Sequence, residues 1–237
     1  MLDFRIIARS TRARAGVFQT LHGPVETPIF MPVGTQGTVK AVTPEELQAL
    51  GARIILGNTY HLFLRPGVDV VRRFDGLHGF MGWDGPILTD SGGFQIFSLA
   101  GLRQVSEEGV VFQSHIDGAR HMLSPEKATE VQLTLGSDIL MCLDQCVAYP
   151  APPEDLRRAL ELTTRWASRC RTTWEAHAGP KGALFGIVQG GMDPALRAES
   201  IDQLRALDFP GYALGGLSVG EPPALMYATA AHALPLL

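Results

Sequence analysis

Short apolar runs alternate with longer amphipathic stretches along most of the chain, and this alternation limits the possible folds more than any other feature. Apolar runs end near residues 34, 58, 90, 144, 189 and 217, and stretches with helical periodicity lie between them. Strands that alternate with helices predict βα units and a parallel sheet. We count six such units, preceded by a β-rich extension at residues 1–30.

Two α/β architectures accommodate six units. An open doubly wound sheet would leave two parallel edges unpaired, which is a liability. A (β/α)8 TIM barrel usually needs roughly 250 residues, close to the 237 here, but it has eight units, so a chain with six would lack the last two. The apolar end at residues 233–237 favours a cut chain. We therefore predict a single catalytic barrel domain over residues 1–237, incomplete because its last βα units are missing.

Composition narrows the class of protein. Hydrophobic residues make up 46% of the chain, enough for a sizeable core, and the net charge is −4. A simple nucleic-acid-coating protein would be basic, so any RNA contact is local or lies outside this segment. Only three cysteines occur, residues 1–5 lack the apolar core of a signal peptide, and no apolar run approaches about 20 residues. These features predict a cytoplasmic protein without a membrane span.

Local signals set several element boundaries. Thr43 with Glu46 predicts a capping box before a helix that begins at Pro44, and Gly51 follows its end. Helices are also predicted from Pro125, over 153–178, from Pro194 and over about 223–233. Residues 110–116 are typical of part of a β-hairpin, with its turn at residues 117–120.

Polar groups stand at the carboxyl ends of the predicted strands, where α/β folds gather functional groups. Two carboxylates, two amides and a glycine-flanked backbone can hydrogen-bond a flat heterocycle along one edge. The set is poor in metal ligands because it contains no histidine. The residues at these ends are Val33, Asn58, Asp90, Asp144, Gln189 and Gly216.

Each of these signals also has a purely structural interpretation. Asp90 could cap a tight strand-to-helix turn, Asp144 could cap nearby amides, and Gln189 could be a turn residue. Cys142 and Cys146 form a C-x3-C pair, which is no zinc site without further ligands. Single motifs therefore leave both interpretations open.

The motifs taken together, in order and spacing, resemble bacterial tRNA-guanine transglycosylases of the queuine tRNA-ribosyltransferase family. The resemblance covers nearly the whole chain. The matching segments are MPVGT at 31–35, LGNTYHL at 56–62, LTDSGGFQ at 88–95, DG at 117–118, HMLSPE at 121–126, DQC at 144–146, GIVQG at 186–190 and GGLSVGE at 215–221.

This resemblance implies a role for each strand-end residue. Asp90 is expected to be the general acid/base, and Asp144 is expected to bind the N1/N2 edge of guanine. The remaining implied contacts involve the base, the substrate and the ribose.

The resemblance implies that the loop around the base is formed by Ser91, Gly92, Gly93 and Phe94, with Phe94 stacking on the ring. Gln189 and the Gly216 N–H are expected to donate to the base carbonyl, and the Leu217 carbonyl to accept from an aminomethyl group. The ribose or a neighbouring surface is expected to contact Val33, Leu56 and Asn58.

The implied reaction exchanges guanine at the anticodon wobble position of tRNA for 7-aminomethyl-7-deazaguanine, through a covalent RNA intermediate. The family's nucleophilic aspartate and its Zn²⁺ ligands, a C-x-C-x2-C cluster plus a histidine, are expected beyond Leu237. No metal ligand is then expected in this chain, which should bind a base without turnover. The partners implied are tRNA, both bases and a second subunit in a homodimer.

Two residues bear on substrate size. Val219 narrows the pocket where queuine users have glycine, and Cys146 is typical of bacterial members, so the small aminomethyl base is expected. Three other classes remain as alternatives. A glycoside hydrolase would use Asp90 and Asp144 but needs more aromatic residues than three tryptophans supply. A non-catalytic subunit would lack Asp90, and a metal-dependent hydrolase would need histidines at the strand ends.

Overall fold

The computed structural model describes residues 3–11, 13–99 and 103–237. The chain forms two compact units, each assembled from three segments. The first unit contains Met1–Gly92, Glu130–Leu140 and His177–Ala183, and the second contains Gly93–Thr129, Met141–Ala176 and Leu184–Leu237. The prediction of a single domain over residues 1–237 stays a prediction.

The first unit begins with an antiparallel sheet of three strands. These are β1 (Phe4–Ser10), β2 (Ala13–Thr20) and β3 (Gly23–Thr27), in the order β1-β2-β3. The predicted β-rich extension is therefore confirmed. The expected continuation over residues 28–30 is wrong, because Pro28 has no N–H to donate to a strand ladder and β3 ends before it.

Parallel strands make up the rest of the first unit's sheet structure. They are β4 (Val33–Gly34), β5 (Ile55–Gly57), β6 (Ile87–Thr89) and β10 (Ile139–Met141), which follow one another in the order β10-β6-β5-β4. The pairing of Leu56 with Leu88 sets the register of β5 on β6. The carboxyl ends of β5 and β6 therefore bring Asn58 and Asp90 to one edge.

Four helices follow β4 and β5: α1 (Pro44–Ala49), α2 (Thr59–Leu64), α3 (Val68–Arg72) and α4 (Leu77–Met81). The predicted capping box of α1 is present. Thr43 Oγ1 accepts from the Glu46 N–H at 3.2 Å, and the Thr43 N–H donates to Glu46 Oε2 at 2.8 Å. Side chains from these helices pack with the parallel strands in a buried core that includes Ile55, Leu62, Leu77, Ile87 and Leu135.

The second unit contains an antiparallel sheet and a parallel strand pair. The antiparallel sheet joins β7 (Arg103–Val105), β8 (Val110–Gln113) and β9 (Arg120–Leu123), which confirms the predicted hairpin. The parallel pair is β11 (Ala183–Val188) and β12 (Gly211–Leu214). Cys142, directly after β10, donates its N–H to Phe185 O in β11 at 3.0 Å.

Helices separate these strands, close to the predicted positions. They are α5 (Gly93–Leu99), α6 (Pro125–Leu135), α7 (Pro153–Ala176), α8 (Pro194–Ala206) and α9 (Pro223–Ala233). Asp193 caps α8 by accepting from the N–H groups of Ala195 and Leu196. None of the helices in the described part of the chain is long and apolar enough to cross a membrane.

The predicted fold class is confirmed. Parallel strands alternate with helices, and among the described residues no strand pairing closes a barrel. The arrangement matches an α/β barrel that is incomplete in this chain.

Candidate functional site

Two predicted residues, Asp144 and Gln189, meet in the second unit. Asp144 follows β10 and Gln189 follows β11, and Gln189 Nε2 donates to Asp144 Oδ2 at 2.7 Å. Gln189 is only 3% exposed, and its backbone N–H donates to Ser200 Oγ in α8 at 3.0 Å. The strand-end rule therefore places both side chains correctly, and packing fixes the amide against the carboxylate.

The glycine pair after β12 lies directly against the Gln189 amide. A Cβ atom on Gly216 would lie 2.7 Å from Gln189 Oε1, and one on Gly215 would lie 2.8 Å from Gln189 Nε2. Gly216 also has φ +60°, a left-handed conformation that favours glycine. These two positions need glycine because the Gln189 side chain occupies the space. Asp144, Gln189 and Gly216 thus form one cluster, which we call the strand-end cluster.

A cavity of about 280 Å³ opens beside Asp144 in the second unit. Its walls include Gly93, Phe97, Cys146 and Trp166, whereas Gln189 and Gly216 are not among the described residues that line it. Its size is close to the lower end of the roughly 300–1,000 Å³ typical of ligand pockets. Asp144 is therefore the member of the strand-end cluster that lines this cavity.

Phe94 and Leu217 occupy less enclosed positions. Phe94, in α5, is 46% exposed, and its ring lies 6.3 Å from that of Phe97 at a tilt of 39°. Leu217 is half-buried in the loop after β12. Their expected contacts with a substrate stay predictions.

Glu221 organises the loop that contains Leu217. Its carboxylate accepts from the backbone N–H groups of Ser218 at 2.5 Å and Val219 at 2.8 Å. Burial raises the pKa of Glu221, but these backbone hydrogen bonds more than offset it, so the pKa lies below its ordinary value. The charged carboxylate holds Ser218 in a left-handed conformation with φ 59°.

Arg197 is a buried residue of this region that sequence reasoning missed. Its guanidinium donates to backbone carbonyls after β11 and β12, and burial lowers its pKa to about 10, so it stays charged at neutral pH. A signal was available, because Arg197, Ser200, Ile201 and Leu204 repeat at i, i+3, i+4 and i+7, the spacing of a buried helix face. All four are fully or almost fully buried.

Asp90 is held within the first unit by groups at the ends of β5 and β6. Its Oδ1 accepts from the Thr59 N–H at 2.9 Å and from the Gly92 N–H at 3.1 Å, while Asn58 Nδ2 donates to Oδ2. Thr59 Oγ1 donates to the Asp90 carbonyl at 2.5 Å. The bond to Gly92 is an Asx turn, which is the tight turn of the structural interpretation.

The predicted site residues divide between the two units. Asp90, Ser91 and Gly92 belong to the first, and Gly93, Phe94, Asp144, Gln189, Gly216 and Leu217 to the second. Three of the four groups expected to converge on a base are therefore together in the strand-end cluster. That Asp90 joins them stays a prediction.

A second polar cluster, also missed from the sequence, surrounds Asp138 in the first unit. Asp138 Oδ1 accepts from the His22 N–H at 3.1 Å, His22 Nδ1 lies 3.0 Å from both oxygens, and Oδ2 accepts from the Ile87 N–H at 2.9 Å. His78 Nε2 lies 3.2 Å from Oδ2. Burial raises the pKa of Asp138, but the donors from His78, Ile87 and His22 outweigh it, so the pKa lies below its ordinary value.

His22, His78 and Asp138 bring three ligand-type atoms within 4.8 Å of one another, so we tested whether they fit a zinc ion. Zinc needs in-plane lone pairs that converge on one point about 2.0–2.1 Å from each nitrogen. The two imidazole rings are instead stacked, with centroids 3.6 Å apart and planes 19° from parallel, so their lone pairs run side by side. The cluster fits a carboxylate that collects hydrogen bonds and does not fit tetrahedral zinc.

The cysteines do not fit zinc either. All three are free and buried. Among the described residues, no cysteine belongs to a group of three His, Cys, Asp or Glu ligand atoms that could hold a metal ion. Burial raises the pKa of Cys142, and burial together with the Asp144 carboxylate raises the pKa of Cys146 to about 12. The Cys170 thiol donates to Pro125 O at 3.4 Å.

The fold and the strand-end cluster define an α/β protein of the class that binds ligands at the carboxyl ends of parallel strands. Comparison with known proteins gives the family. Residues 9–237 match the family described as queuine tRNA-ribosyltransferase, so the chain belongs to that family.

Curated relatives agree with this assignment. Proteins named queuine tRNA-ribosyltransferase from Desulfosudis oleivorans and Pelotomaculum thermopropionicum are 60% and 62% identical over 228 residues, and one from Desulforapulum autotrophicum is 61% identical over 239 residues. These alignments cover 96%, 96% and 100% of this chain but 59%, 61% and 64% of the relatives. The chain thus spans about 60% of the length of the curated relatives it matches.

Proposed function

We propose that this chain carries the base-recognition part of a tRNA-guanine transglycosylase. The enzyme would exchange guanine at the anticodon wobble position of tRNA for 7-aminomethyl-7-deazaguanine in queuosine biosynthesis. Membership of the family and the names of the relatives support the reaction class. The observation that carries the proposal for this chain is the contact of Gln189 Nε2 with Asp144 Oδ2, beside Gly216.

This contact suits recognition of one purine edge. A carboxylate has about four acceptor sites, so Asp144 can accept from the N1 and N2 hydrogens of guanine as well as from Gln189. The Gln189 amide has two N–H donors, and the second can reach the base carbonyl next to N1. The Gly216 N–H would supply the other donor to that oxygen. The acceptor Asp144 therefore faces the N–H donors of guanine, and the donors on Gln189 and Gly216 face its carbonyl oxygen.

Other residues complete the proposed site. Phe94 would stack on the ring, which is consistent with its exposed position. The Leu217 carbonyl would accept from the aminomethyl group, in a loop that Glu221 holds in shape. Asp90, with Ser91, Gly92 and Gly93 in its turn, would give and take the protons that let each base leave or arrive.

The rest of the machinery is carried over from the family resemblance. We propose a double displacement through a covalent RNA intermediate whose nucleophilic aspartate lies on a later strand of the barrel. Zn²⁺ would be bound by a cysteine and histidine cluster of the family and not by this chain, since neither the Asp138 cluster nor the cysteines described here fit it. A homodimer acting on tRNA in the cytoplasm completes the proposal, and three free cysteines are consistent with a reducing compartment.

Base binding by this chain tests the proposal directly. Guanine and 7-aminomethyl-7-deazaguanine should bind the chain in calorimetry, and Asp144→Asn should weaken both by about 10- to 100-fold because an amide replaces a charged acceptor. The exposed Asp202 in α8 supplies the control, since Asp202→Asn makes the same chemical change away from the cluster. Equal binding by wild type and Asp144→Asn would contradict the proposal.

Exchange and substrate size need the reaction itself. A protein of the relatives' full length that carries this chain should incorporate labelled guanine into tRNA with a wobble guanine. It should use 7-aminomethyl-7-deazaguanine in preference to the bulkier queuine, because Val219 narrows the pocket. Equal use of both bases would refute the role of Val219, and failure to incorporate guanine would refute the transglycosylase assignment.

A further inference from the structure

We propose that Arg197 is a positioning residue for base recognition, which acts through the peptide group that joins Gly215 to Gly216. This inference rests on the proposed function, because that peptide carries the Gly216 N–H expected to donate to the base carbonyl. Arg197 does not touch the base in this proposal.

Arg197 ties the chain after β11 to the chain after β12. Its Nη1 donates to Val188 O at 3.0 Å and to Gly215 O at 2.7 Å, and its Nη2 donates to Gly216 O at 3.3 Å. Its Nε donates to Gly191 O at 2.7 Å. Val188 O also accepts from the Gly215 N–H at 2.9 Å. A single side chain thus fixes both glycine-containing turns that flank Gln189.

The shorter of the two contacts that Arg197 makes after β12 is to Gly215 O, which belongs to the peptide group expected to bind the base. The carbonyl of Gly215 and the N–H of Gly216 belong to one planar peptide group. A charged donor on that carbonyl draws electron density from the amide and makes the N–H a stronger donor, as in cooperative hydrogen-bond chains. The guanidinium of Arg197 thus acts on the base oxygen through a single peptide group, whose N–H is expected to donate to that oxygen.

The charge of Arg197 reinforces this effect. All four acceptors are backbone carbonyls, and among the described residues no ion pair joins Arg197 to a carboxylate. Burial is the largest influence on the pKa of Arg197 and outweighs the opposing effects of Cys146 and Glu221. A charge that is poorly compensated in a buried position keeps a positive potential at the Gly215–Gly216 turn. That potential favours negative charge on the base oxygen, which grows when guanine departs from the ribose.

Arg197 could instead be only a clamp that keeps the turns folded. The two roles differ in what they require of the ligand. A clamp supports every contact of the base equally, whereas polarisation of the Gly216 N–H affects only a ligand with an oxygen in the matching position. A comparison of guanine with 2-aminopurine, which keeps the ring and the amino group but has neither the carbonyl nor the N1–H, therefore separates them when each variant's loss is taken relative to the wild-type affinity for the same ligand.

The experiment measures binding of guanine and 2-aminopurine to the wild-type chain, Arg197→Met and Arg197→Lys. Arg205→Met is the control, because Arg205 is exposed on the same helix and donates to Leu236 O at 3.3 Å. We expect Arg197→Met to weaken guanine about tenfold and 2-aminopurine less than about twofold, since the loss is of one charge-assisted interaction. Arg197→Lys keeps the charge but has fewer donors, so its affinity for guanine should lie between those of the wild-type chain and Arg197→Met.

Equal losses for the two ligands in a folded Arg197→Met protein would overturn the inference and leave the proposed function intact. A wild-type chain that binds no guanine would overturn both. If neither variant folds, the amide resonance of Gly216 in the wild-type chain decides. It should move downfield with guanine and stay in place with 2-aminopurine, and the same response to both ligands would overturn the inference.

Discussion

Among the described residues, each compact unit fully buries one charged side chain, and the two charges are hydrogen-bonded in opposite ways. Asp138 in the first unit accepts from the N–H groups of His22 and Ile87, and the imidazole of His78 lies 3.2 Å from its carboxylate. Arg197 in the second unit collects four backbone carbonyls. A buried charge is costly unless it is hydrogen-bonded, and both units meet that requirement with groups the fold already contains.

The two buried charges also differ in the ends of the strands at which they form their hydrogen bonds. Asp138 directly precedes β10, and its donor Ile87 is the first residue of β6, so this charge acts at amino ends. The acceptors of Arg197 lie at or after the carboxyl ends of β11 and β12. In α/β barrels the amino-end face contributes stability and the carboxyl-end face carries function. We therefore expect loss of Asp138 to change stability and loss of Arg197 to change ligand binding.

Replacing Asp138 should produce the largest change in stability. Asp138→Asn removes a buried charge that accepts from several donors and leaves at least one of them unsatisfied, so we expect a loss of about 2–4 kcal/mol. Urea unfolding would measure it, with the exposed Asp84→Asn as control. Guanine affinity of the folded fraction should stay unchanged. A folded Asp138→Asn protein with normal stability and poor binding would break the comparison.

Acid should weaken the first unit through the same carboxylate. The pKa of Asp138 is lower in the folded chain than in the unfolded chain, where the ordinary value is 3.8. The stabilisation is therefore complete above that value and is lost as the pH falls from it toward the folded-state pKa. Urea midpoints from pH 6 downward, at intervals of about half a unit, would follow this loss. A slope unaltered by Asp138→Asn would assign the acid sensitivity to other groups.

Local pattern was enough to predict most of the larger elements and the strand-end cluster. Runs such as 138–144 and 184–189 are apolar because both faces of a parallel strand are buried, and this located both strands. The end of the second follows from Gln189, whereas β10 ends at Met141 and not at Asp144. Asp144 and Gln189 meet because neighbouring parallel strands end at one edge. Their contact therefore needed only the order of the strands and the residue after each.

The Asp138 cluster could not be predicted in this way. Asp138 and His22 are 116 residues apart, and His22 lies in the turn between β2 and β3, where a histidine suggests no partner. The short helices α2, α3 and α4 were also missed, because five or six residues are too few to display a helical period. Arg197 could be predicted only in part. Its helical spacing indicates that it lies on the buried face of the helix, but no local pattern predicts which carbonyls it binds.

An exposed charge on the same helix as Arg197 should produce the smallest effect. Arg157 Nη1 lies 3.1 Å from each oxygen of Glu199, two residues from Arg197 in α8, and the side chains of Arg157 and Glu199 are 50% and 36% exposed. Water screens such a pair, so Arg157→Gln should cost about 0.5 kcal/mol or less in urea unfolding, and the cost should shrink further in about 1 M salt. The cost of Asp138→Asn should change less with salt, because the Asp138 side chain itself is fully buried. If Arg157→Gln lost as much unfolding free energy as Asp138→Asn, burial would not determine how much a charged side chain contributes to the stability of this protein. The difference between Asp138 and Arg197 would then depend only on which ends of the strands they contact.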